Sequence, residues 1–317
     1  MPLLIKRENS IKRYSLAVLT KSPHTNRTFF GISRSWQLFG LIGFLWGIPY
    51  LFIRIAVEQP GGFEPGFLVF SRTLLGAAIL LPLAAHKKVL KTALRQFKWV
   101  FLYAIIELAG PWYFLSSGER HVTSGLAGLL IATVPFWSSI LASFLGDKSV
   151  WHKHRLGGMV VGFVGVVLVV GTEAFRGENK LSSIFIILIG AIGYAIAPMM
   201  IRRKAPELDG LAINSVAMAI VATLYIPVGI VQWPTGHVSA KAIWSLIILA
   251  TLCTAAAFIV FFKVIVDLGP TRASMVTYLN TAIAVILGII ILSEPLTIGI
   301  VLGMPLVLIG SYFAGKK

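Results

Sequence analysis

Long apolar runs dominate this sequence and limit what it can fold into. From Trp36 onward, mainly apolar stretches recur with only short polar breaks between them. A helix that crosses the hydrocarbon of a bilayer needs roughly 20 such residues. In hydrocarbon every backbone N–H and C=O must be satisfied within the protein, so runs of this length are helices and not strands. We therefore predict an all-α membrane protein with about ten transmembrane helices.

The connections between the predicted spans are too short to hold a soluble domain. The spans cover residues 36–57, 66–85, 98–116, 123–145, 156–172, 182–201, 210–231, 243–263, 272–292 and 297–314. Hydrophobic residues make up 57% of the chain and charged residues 13%, and the mean hydropathy is +0.86. A water-soluble globule needs a larger polar share, so the lipid bilayer is the expected partner of this surface.

The net charge of +16 is distributed as in a membrane protein. Basic residues gather in alternate loops, such as Lys87 and Lys88 or Arg202 and Arg203, and are sparse in the others. This is the positive-inside pattern, whereas a nucleic-acid surface needs its basic residues on one face. We expect an even number of spans, both termini in the cytoplasm, no nucleic-acid partner, and a bacterial inner membrane as the location.

The N-terminal segment and the cysteine count limit the interpretation further. Residues 1–35 are basic and too polar for a cleaved secretory signal, so we interpret them as a cytoplasmic tail. The alternatives are a start codon that has been placed too far upstream and an organellar transit peptide. Cys253 is the single cysteine, so no intramolecular disulfide can form. We expect no metal, cofactor or catalytic residue.

The two halves of the chain resemble each other. After the fourth span comes LGDKSVWHKHRLGGMVVGFVG, and after the ninth comes LSEPLTIGIVLGMPLVLIG, so that Asp147 matches Glu294, Gly158 matches Gly303 and Gly165 matches Gly310. The repeats cover 36–172 and 182–314. Since each holds five spans, an odd number, the second must enter the membrane inverted. Inverted halves can rock about a site at the midplane.

Three parts of the sequence carry distinctive motifs: FLWGIPYLFIR at 44–54, TSGLAGLLIATVPFWSSILASFLGD at 123–147, and LGPTRASMVTYL with LGIIILSEPLT at 268–297. They resemble the EamA-type permeases of the drug/metabolite transporter superfamily. The resemblance implies two inverted five-helix repeats around a central cavity, with transport or export of amino acids, related metabolites or drugs. The chain departs from the family pattern at Asn280 and Thr281, where a proline often stands, and at Asp147, where a glutamate is usual.

Glu107 is the one acidic residue within a predicted span. A charge near the bilayer centre costs at least about 2.5 kcal/mol, so the carboxyl should face the helix bundle and favour its protonated form. Our hypothesis is that Glu107 couples transport to protons or binds a cationic substrate group. The alternative is a protonated carboxyl that only bonds a neighbouring helix. Arg72 also lies deep in its span, and an ion pair with Glu107 would lower the cost of both.

Aromatic and polar side chains in the spans are candidates for lining a cavity. We select Trp46, Tyr50, Tyr103, Tyr194 and Asn280, because rings bind apolar solute and hydroxyls fix its orientation. Bundle packing and interfacial anchoring are the alternative interpretation of each ring.

Prolines and glycines in the spans indicate where helices bend or approach closely. Pro49, Pro111, Pro135 and Pro198 each delete a helical hydrogen bond and are candidate hinges, although neighbouring hydroxyls can also repair the gap. The pairs Gly43/Gly47, Gly158/Gly162 and Gly299/Gly303 permit close helix contact. This contact can lie within one chain or at a homodimer face.

Two other classes of function compete with transport. An enzyme needs converging groups, yet the sequence has no HExxH pair, GxSxG turn or Walker motif. A passive channel or facilitator needs rings of like groups or a carbonyl filter, and neither is visible. We therefore predict a secondary transporter, with export as the expected direction, that moves small metabolites such as amino acids or amphiphilic drugs by alternating access.

Overall fold

The computed structural model describes residues 28–29, 32–146, 152–176, 180–269, 273 and 275–315. The chain divides into two units, residues 1–37 and residues 38–317. In the first unit, β1 (Thr28–Phe29) pairs antiparallel with β2 (Ile32–Ser33). In its described residues the second unit contains helices and connecting loops and no strand.

The helices follow one another with short connections. In chain order they are α1 (Arg34–Gly47), α2 (Pro49–Val57), α3 (Pro65–His86), α4 (Leu90–Arg95), α5 (Phe97–Tyr103), α6 (Gly110–Gly118), α7 (Ser124–Ile131), α8 (Val134–Phe144), α9 (Lys153–Arg176), α10 (Leu181–Lys204), α11 (Gly210–Leu224), α12 (Ile226–Val231), α13 (Ala240–Ala250), α14 (Ala257–Leu268), α15 (Val276–Leu292) and α16 (Ile298–Gly315). A π-helical segment, Ala104–Ala109, joins α5 to α6, and a second, Thr251–Ala256, joins α13 to α14.

The described helices confirm an all-α membrane protein. Seven helical stretches are long and apolar enough to cross a bilayer: Arg34–Val57, Pro65–His86, Phe97–Gly118, Ser124–Phe144, Lys153–Thr172, Leu181–Lys204 and Ala240–Leu268. Gly210–Leu224, Val276–Leu292 and Ile298–Phe313 are shorter apolar helices. Each overlaps a span predicted from the sequence, while the inverted-repeat arrangement stays a prediction. Asp147, which the sequence matches with Glu294, lies outside the described residues.

Three of the four candidate hinge prolines stand where a helix is interrupted. Pro49 begins α2 after a break at Ile48, Pro111 stands in the first turn of α6 behind a π-helical segment, and Pro135 stands in the first turn of α8. Proline is tolerated in a first turn because the N–H it lacks would have no partner there. Pro198 differs, since it lies inside the continuous helix α10. Motion at these positions stays a prediction.

Burial differs sharply between helices. All eight residues of α7 are buried, so this helix is enclosed by protein. On α9, by contrast, Val160, Phe163 and Val167 are each more than half exposed. A face of this composition is stable against lipid tails, where apolar side chains cost nothing to expose.

The glycine pairs are used in contacts within the chain. Added Cβ atoms on Gly43 and Gly47 would collide with Leu279 and Ile283 of α15. In the same way α9 and α16 approach through glycines, because a Cβ on Gly310 would overlap the backbone of Gly162. Small residues at such crossings let helix backbones come close. These glycines therefore have a packing role that needs no dimer.

Gly310→Ala should destabilise the contact between α9 and α16. The new methyl would overlap the Gly162 backbone, which cannot move aside as a flexible side chain can. Overpacking of this kind costs about 1–3 kcal/mol, and we expect a lower unfolding temperature in detergent, measured by intrinsic fluorescence. Gly157→Ala, on the facing helix α9, is the control because no heavy atom outside its own helix backbone lies within 4 Å of its added Cβ. Equal effects of the two variants would contradict the close contact.

Candidate functional site

A buried arginine joins three helical elements in the interior of the bundle. Arg72 of α3 is 8% exposed, and its Nε donates a hydrogen bond to Thr254 Oγ1 at 2.9 Å. Its guanidinium carbon lies 3.8 Å from the ring centroid of Trp112 in α6. A desolvated cation over an indole face is stabilised by about 2 kcal/mol. The contacts thus compensate part of the cost of keeping this charge within a membrane span.

Both π-helical segments contribute to this region. Thr254 lies in the second segment and Glu107 in the first. A π-helical turn inserts an extra residue, re-aims the side chains around it and occurs frequently at functional sites. The two segments fall in the third and eighth predicted spans, which occupy matching positions in the two predicted repeats.

Glu107 has its own set of neighbours. Its Oε2 is buried without a hydrogen-bond partner, and it interacts electrostatically with Tyr103 and Tyr194. The Tyr103 hydroxyl lies 3.3 Å from Asn214 Oδ1, to which it donates a hydrogen bond. Tyr103 therefore has a partner on α11, and its hydroxyl lies within electrostatic range of the Glu107 carboxyl.

The expected ion pair between Arg72 and Glu107 is absent. Within the described residues Arg72 bonds Thr254 and covers Trp112, while Glu107 keeps an unpartnered oxygen. The physical reason is that Thr254 and the indole face already satisfy much of the guanidinium. A cation and a carboxyl therefore occur in the same interior region without neutralising each other.

Two tyrosines connect the arginine with the glutamate. Tyr194 of α10 interacts electrostatically with Glu107, Tyr50 and Arg72, and its hydroxyl also contacts Trp112. Tyr50 of α2 is 6% exposed and interacts with Arg72. The structure thus brings together five residues selected from the sequence, which we call the interior polar group: Tyr50, Arg72, Tyr103, Glu107 and Tyr194.

Trp46 and Asn280 lie apart from this group. The Trp46 ring packs against α14, with its centroid 4.4 Å from that of Phe261. Asn280 is buried in α15, where its Oδ1 accepts a hydrogen bond from Thr281 Oγ1 at 3.3 Å. Among the described contacts, neither residue has a hydrogen bond or ring contact with the interior polar group. A cavity-lining role for Trp46 and Asn280 stays a prediction.

Sequence reasoning missed a second buried carboxyl, Glu119. It directly follows α6, is 0% exposed, and both of its carboxyl oxygens are buried without a hydrogen-bond partner. Burial raises the pKa of Glu119 well above its ordinary value, and the nearby Glu294 raises it further, while Arg54 and Arg72 act in the opposite direction. In the sequence Glu119 stands at a helix end beside Arg120, which is the pattern of a solvated residue.

Glu294 caps the N-terminus of α7. Its Oε1 accepts a hydrogen bond from the Ser124 N–H at 2.6 Å, and its Oε2 accepts one from the Gly125 N–H at 3.0 Å. A carboxylate is stabilised at a helix N-terminus because the first N–H groups have no partner within the helix. Gly288 leaves the space, since a Cβ there would collide with this carboxylate. Glu294 therefore ties the segment after α15 to α7.

The chain matches a known protein family in both of its halves. The sequence pattern of the EamA-like transporter family matches the chain twice, over residues 34–171 and over residues 181–315. The chain belongs to the EamA-like transporter family. The resemblance seen in the sequence is thereby confirmed, and this EamA-like chain is an integral membrane protein of a transporter family.

Named relatives agree with this assignment. "Uncharacterized transporter YoaV" from Bacillus subtilis (strain 168) is 24% identical over 275 residues, which are 84% of this chain and 92% of that protein. "Probable terminal-alkyne amino-acid exporter" from Streptantibioticus cattleyicolor is 24% identical over 253 residues, which are 78% of this chain and 82% of that protein. Both are named as proteins that move solutes.

A solved structure shares the fold of the EamA-like chain. The structure, titled "Crystal structure of protein", superposes with a TM-score of 0.62 at 15% identity. The match covers 88% of this chain and 96% of that chain. At this identity the likeness concerns the fold alone.

Arg72→Lys should destabilise the EamA-like chain although it keeps the positive charge. An ammonium lacks the plane that lies over Trp112 and the Nε–H that bonds Thr254. We expect a loss of about 1–2 kcal/mol, measured as a lower unfolding temperature in detergent. Arg95→Lys is the matched control, since Arg95 is exposed in α4. Indistinguishable unfolding temperatures for the two variants would contradict the role assigned to the Arg72 contacts.

Proposed function

We propose that the EamA-like chain is a secondary transporter that exports amino acids or related small metabolites by alternating access. The observation that carries this proposal is the interior polar group, in which Arg72 and Glu107 both interact with Tyr194 but form no ion pair with each other. A free amino acid bears one carboxylate and one ammonium. An arginine and a carboxyl that do not pair with each other remain available to the carboxylate and the ammonium of such a zwitterion.

The remaining groups fit the same class of substrate. Thr254 engages Nε of Arg72, and among the described contacts the two terminal guanidinium nitrogens have no hydrogen-bond partner. Arginine binds carboxylates through such nitrogens, often in bidentate fashion. The rings of Tyr50, Tyr103 and Tyr194 offer apolar contact to the rest of the solute. Amphiphilic drugs with a cationic group use the same combination of a carboxyl and rings.

Support for export and for amino acids also comes from a relative. One relative is named as an exporter of an amino acid that carries a terminal alkyne. An alkyne is an apolar group and a free amino acid is a zwitterion, which are the two features that the interior polar group would recognise. Export from the cytoplasm agrees with the proposed location, a bacterial inner membrane with both termini in the cytoplasm, which rests on the placement of basic residues in alternate loops.

Alternating access would use the two repeats, residues 36–172 and 182–314. The family description matches each half separately, which supports a duplicated unit. If each half holds five spans, the halves are inverted and can rock against each other. The helix interruptions at Pro49, Pro111 and Pro135 are the places where we expect bending.

Glu107→Gln should abolish the dependence of transport on a proton gradient. The carboxyl is the one acid within a predicted span, and an amide of the same shape cannot bind and release a proton. Amino-acid flux into proteoliposomes, measured with and without a pH gradient, checks this expectation. Glu58→Gln, at an exposed position, is the control. Unchanged flux and pH profile in Glu107→Gln would exclude the coupling role.

Amino acids should raise the unfolding temperature of the purified protein. A ligand that binds only the folded state stabilises it by about 2.7 kcal/mol at one hundred times its Kd. We expect an effect from free amino acids with apolar side chains and a much smaller one from their esters or N-acetyl derivatives, which lack one charge. Equal responses to the free and blocked compounds would argue against zwitterion recognition. Flux that does not saturate with solute concentration would indicate a channel.

A further inference from the structure

The surroundings of Glu119 disfavour an ionised carboxylate. The residue is 0% exposed, and neither carboxyl oxygen receives a hydrogen bond. Burying an isolated charge without partners costs several kcal/mol even after relaxation. In proteins such a group becomes neutral or takes up a cation instead.

The arginines around Glu119 bond other acceptors. Arg54 of α2 donates to the backbone carbonyl of Glu119 and not to its carboxylate. Arg120 pairs with Glu64 at 2.9 Å and donates to the carbonyl of Phe63 at 3.1 Å. Arg72 of α3 is engaged by Thr254 and Trp112. None of these cations donates a hydrogen bond to the Glu119 carboxylate within the described residues.

The other groups that face Glu119 disfavour its charge. Glu294, from the segment after α15, interacts electrostatically with Glu119. Its own oxygens accept hydrogen bonds from the backbone N–H groups of Ser124 and Gly125, and its proximity disfavours a charge on the Glu119 carboxyl. The Tyr50 hydroxyl of α2 is the remaining titratable neighbour. Neutral Glu119 is the arrangement that these surroundings favour.

The same contacts join helices at one end of the bundle. Arg54 links α2 to the residue that follows α6, and Arg120 links the loop between α6 and α7 to the loop before α3. Glu294 links the segment after α15 to the start of α7. Opening this end would separate these elements and let water reach the carboxyl of Glu119.

We propose that Glu119 is a second proton-binding site, which holds a proton while this end of the bundle is closed and releases it to water when the end opens. On closing, a proton from water forms the O–H bond on the carboxyl, and on opening that bond breaks and the proton returns to water. Glu119 lies 12 positions beyond Glu107, or about 18 Å along a helix. The use of this proton in transport rests on the function proposed above, whereas its binding in the closed state does not.

Infrared spectroscopy of the purified protein tests the proton directly. A protonated carboxyl has a carbonyl band that is separate from the bands of a carboxylate. Glu107 can contribute the same band, so the decisive sample is Glu107→Gln, in which the band that remains at neutral pH should belong to Glu119. It should disappear in the double variant that also carries Glu119→Gln, and it should persist when Glu58→Gln is added instead. Absence of the band from Glu107→Gln would overturn the proposal, and this result does not require the Glu119 variant to fold.

Stability against pH is the second measurement. Because the folded-state pKa of Glu119 is raised, the unfolded chain loses this proton first as the pH rises. The unfolding temperature of the unmodified protein should therefore fall as the pH rises above the ordinary titration range of a glutamate. The fall should be smaller in Glu119→Gln, which has no proton to release. Equal pH dependence in both proteins would overturn the proposal.

A bound sodium ion would give a different pattern. Replacing choline chloride with sodium chloride at constant pH should leave the unfolding temperature unchanged if the site takes a proton. A sodium-dependent rise that is lost in Glu119→Gln would identify a sodium site and overturn proton binding. None of these measurements depends on flux. Failure of every amino acid to be transported would therefore count against the proposed function, while the infrared band and the pH dependence decide the role of Glu119.

Discussion

Lipid on the outside of this chain leaves polar groups inside it with no partners except each other. In water an unsatisfied carbonyl or charge is solvated, but in hydrocarbon it must find a partner within the protein. The buried α7 shows the consequence, because its first N–H groups are satisfied by a carboxylate from Glu294, about 170 residues further along the chain. The helix therefore depends on a distant segment, and the contact joins the two halves of the fold.

The same constraint explains the contacts of Arg72. Its charge is accommodated in a span by a hydroxyl on one side and an indole face on the other, and these come from helices far apart in sequence. Neither group neutralises the guanidinium, so its field remains available in the interior. The protein thus retains a charge where charges are costly, which is typical of positions that bind ions or solutes.

The positions of the main membrane helices were predictable from the sequence, and the identity of the buried acids was only partly so. Glu107 stands in an apolar run, and its location follows from counting residues. Glu119 stands three residues beyond the predicted span and beside Arg120, where the sequence predicts a solvent-exposed side chain. In the folded chain, however, it is fully buried. The pair of Arg72 and Glu107 was predicted from depth alone. Depth does not specify which face of a helix a side chain occupies, and a π-helical segment changes that face in both the third and the eighth predicted spans.

By itself the sequence determined that the chain enters a membrane as helices, where most of them lie, and which family it belongs to, because length, hydropathy and local motifs are properties of neighbouring residues. The tertiary structure decided which polar groups meet. It placed Trp46 in an aromatic cluster, kept Arg72 apart from Glu107, paired the glycines of α9 and α16, and enclosed Glu119. These outcomes depend on contacts between helices that are distant in the chain, and the free energy of such contacts is set by geometry that no local pattern of residues contains.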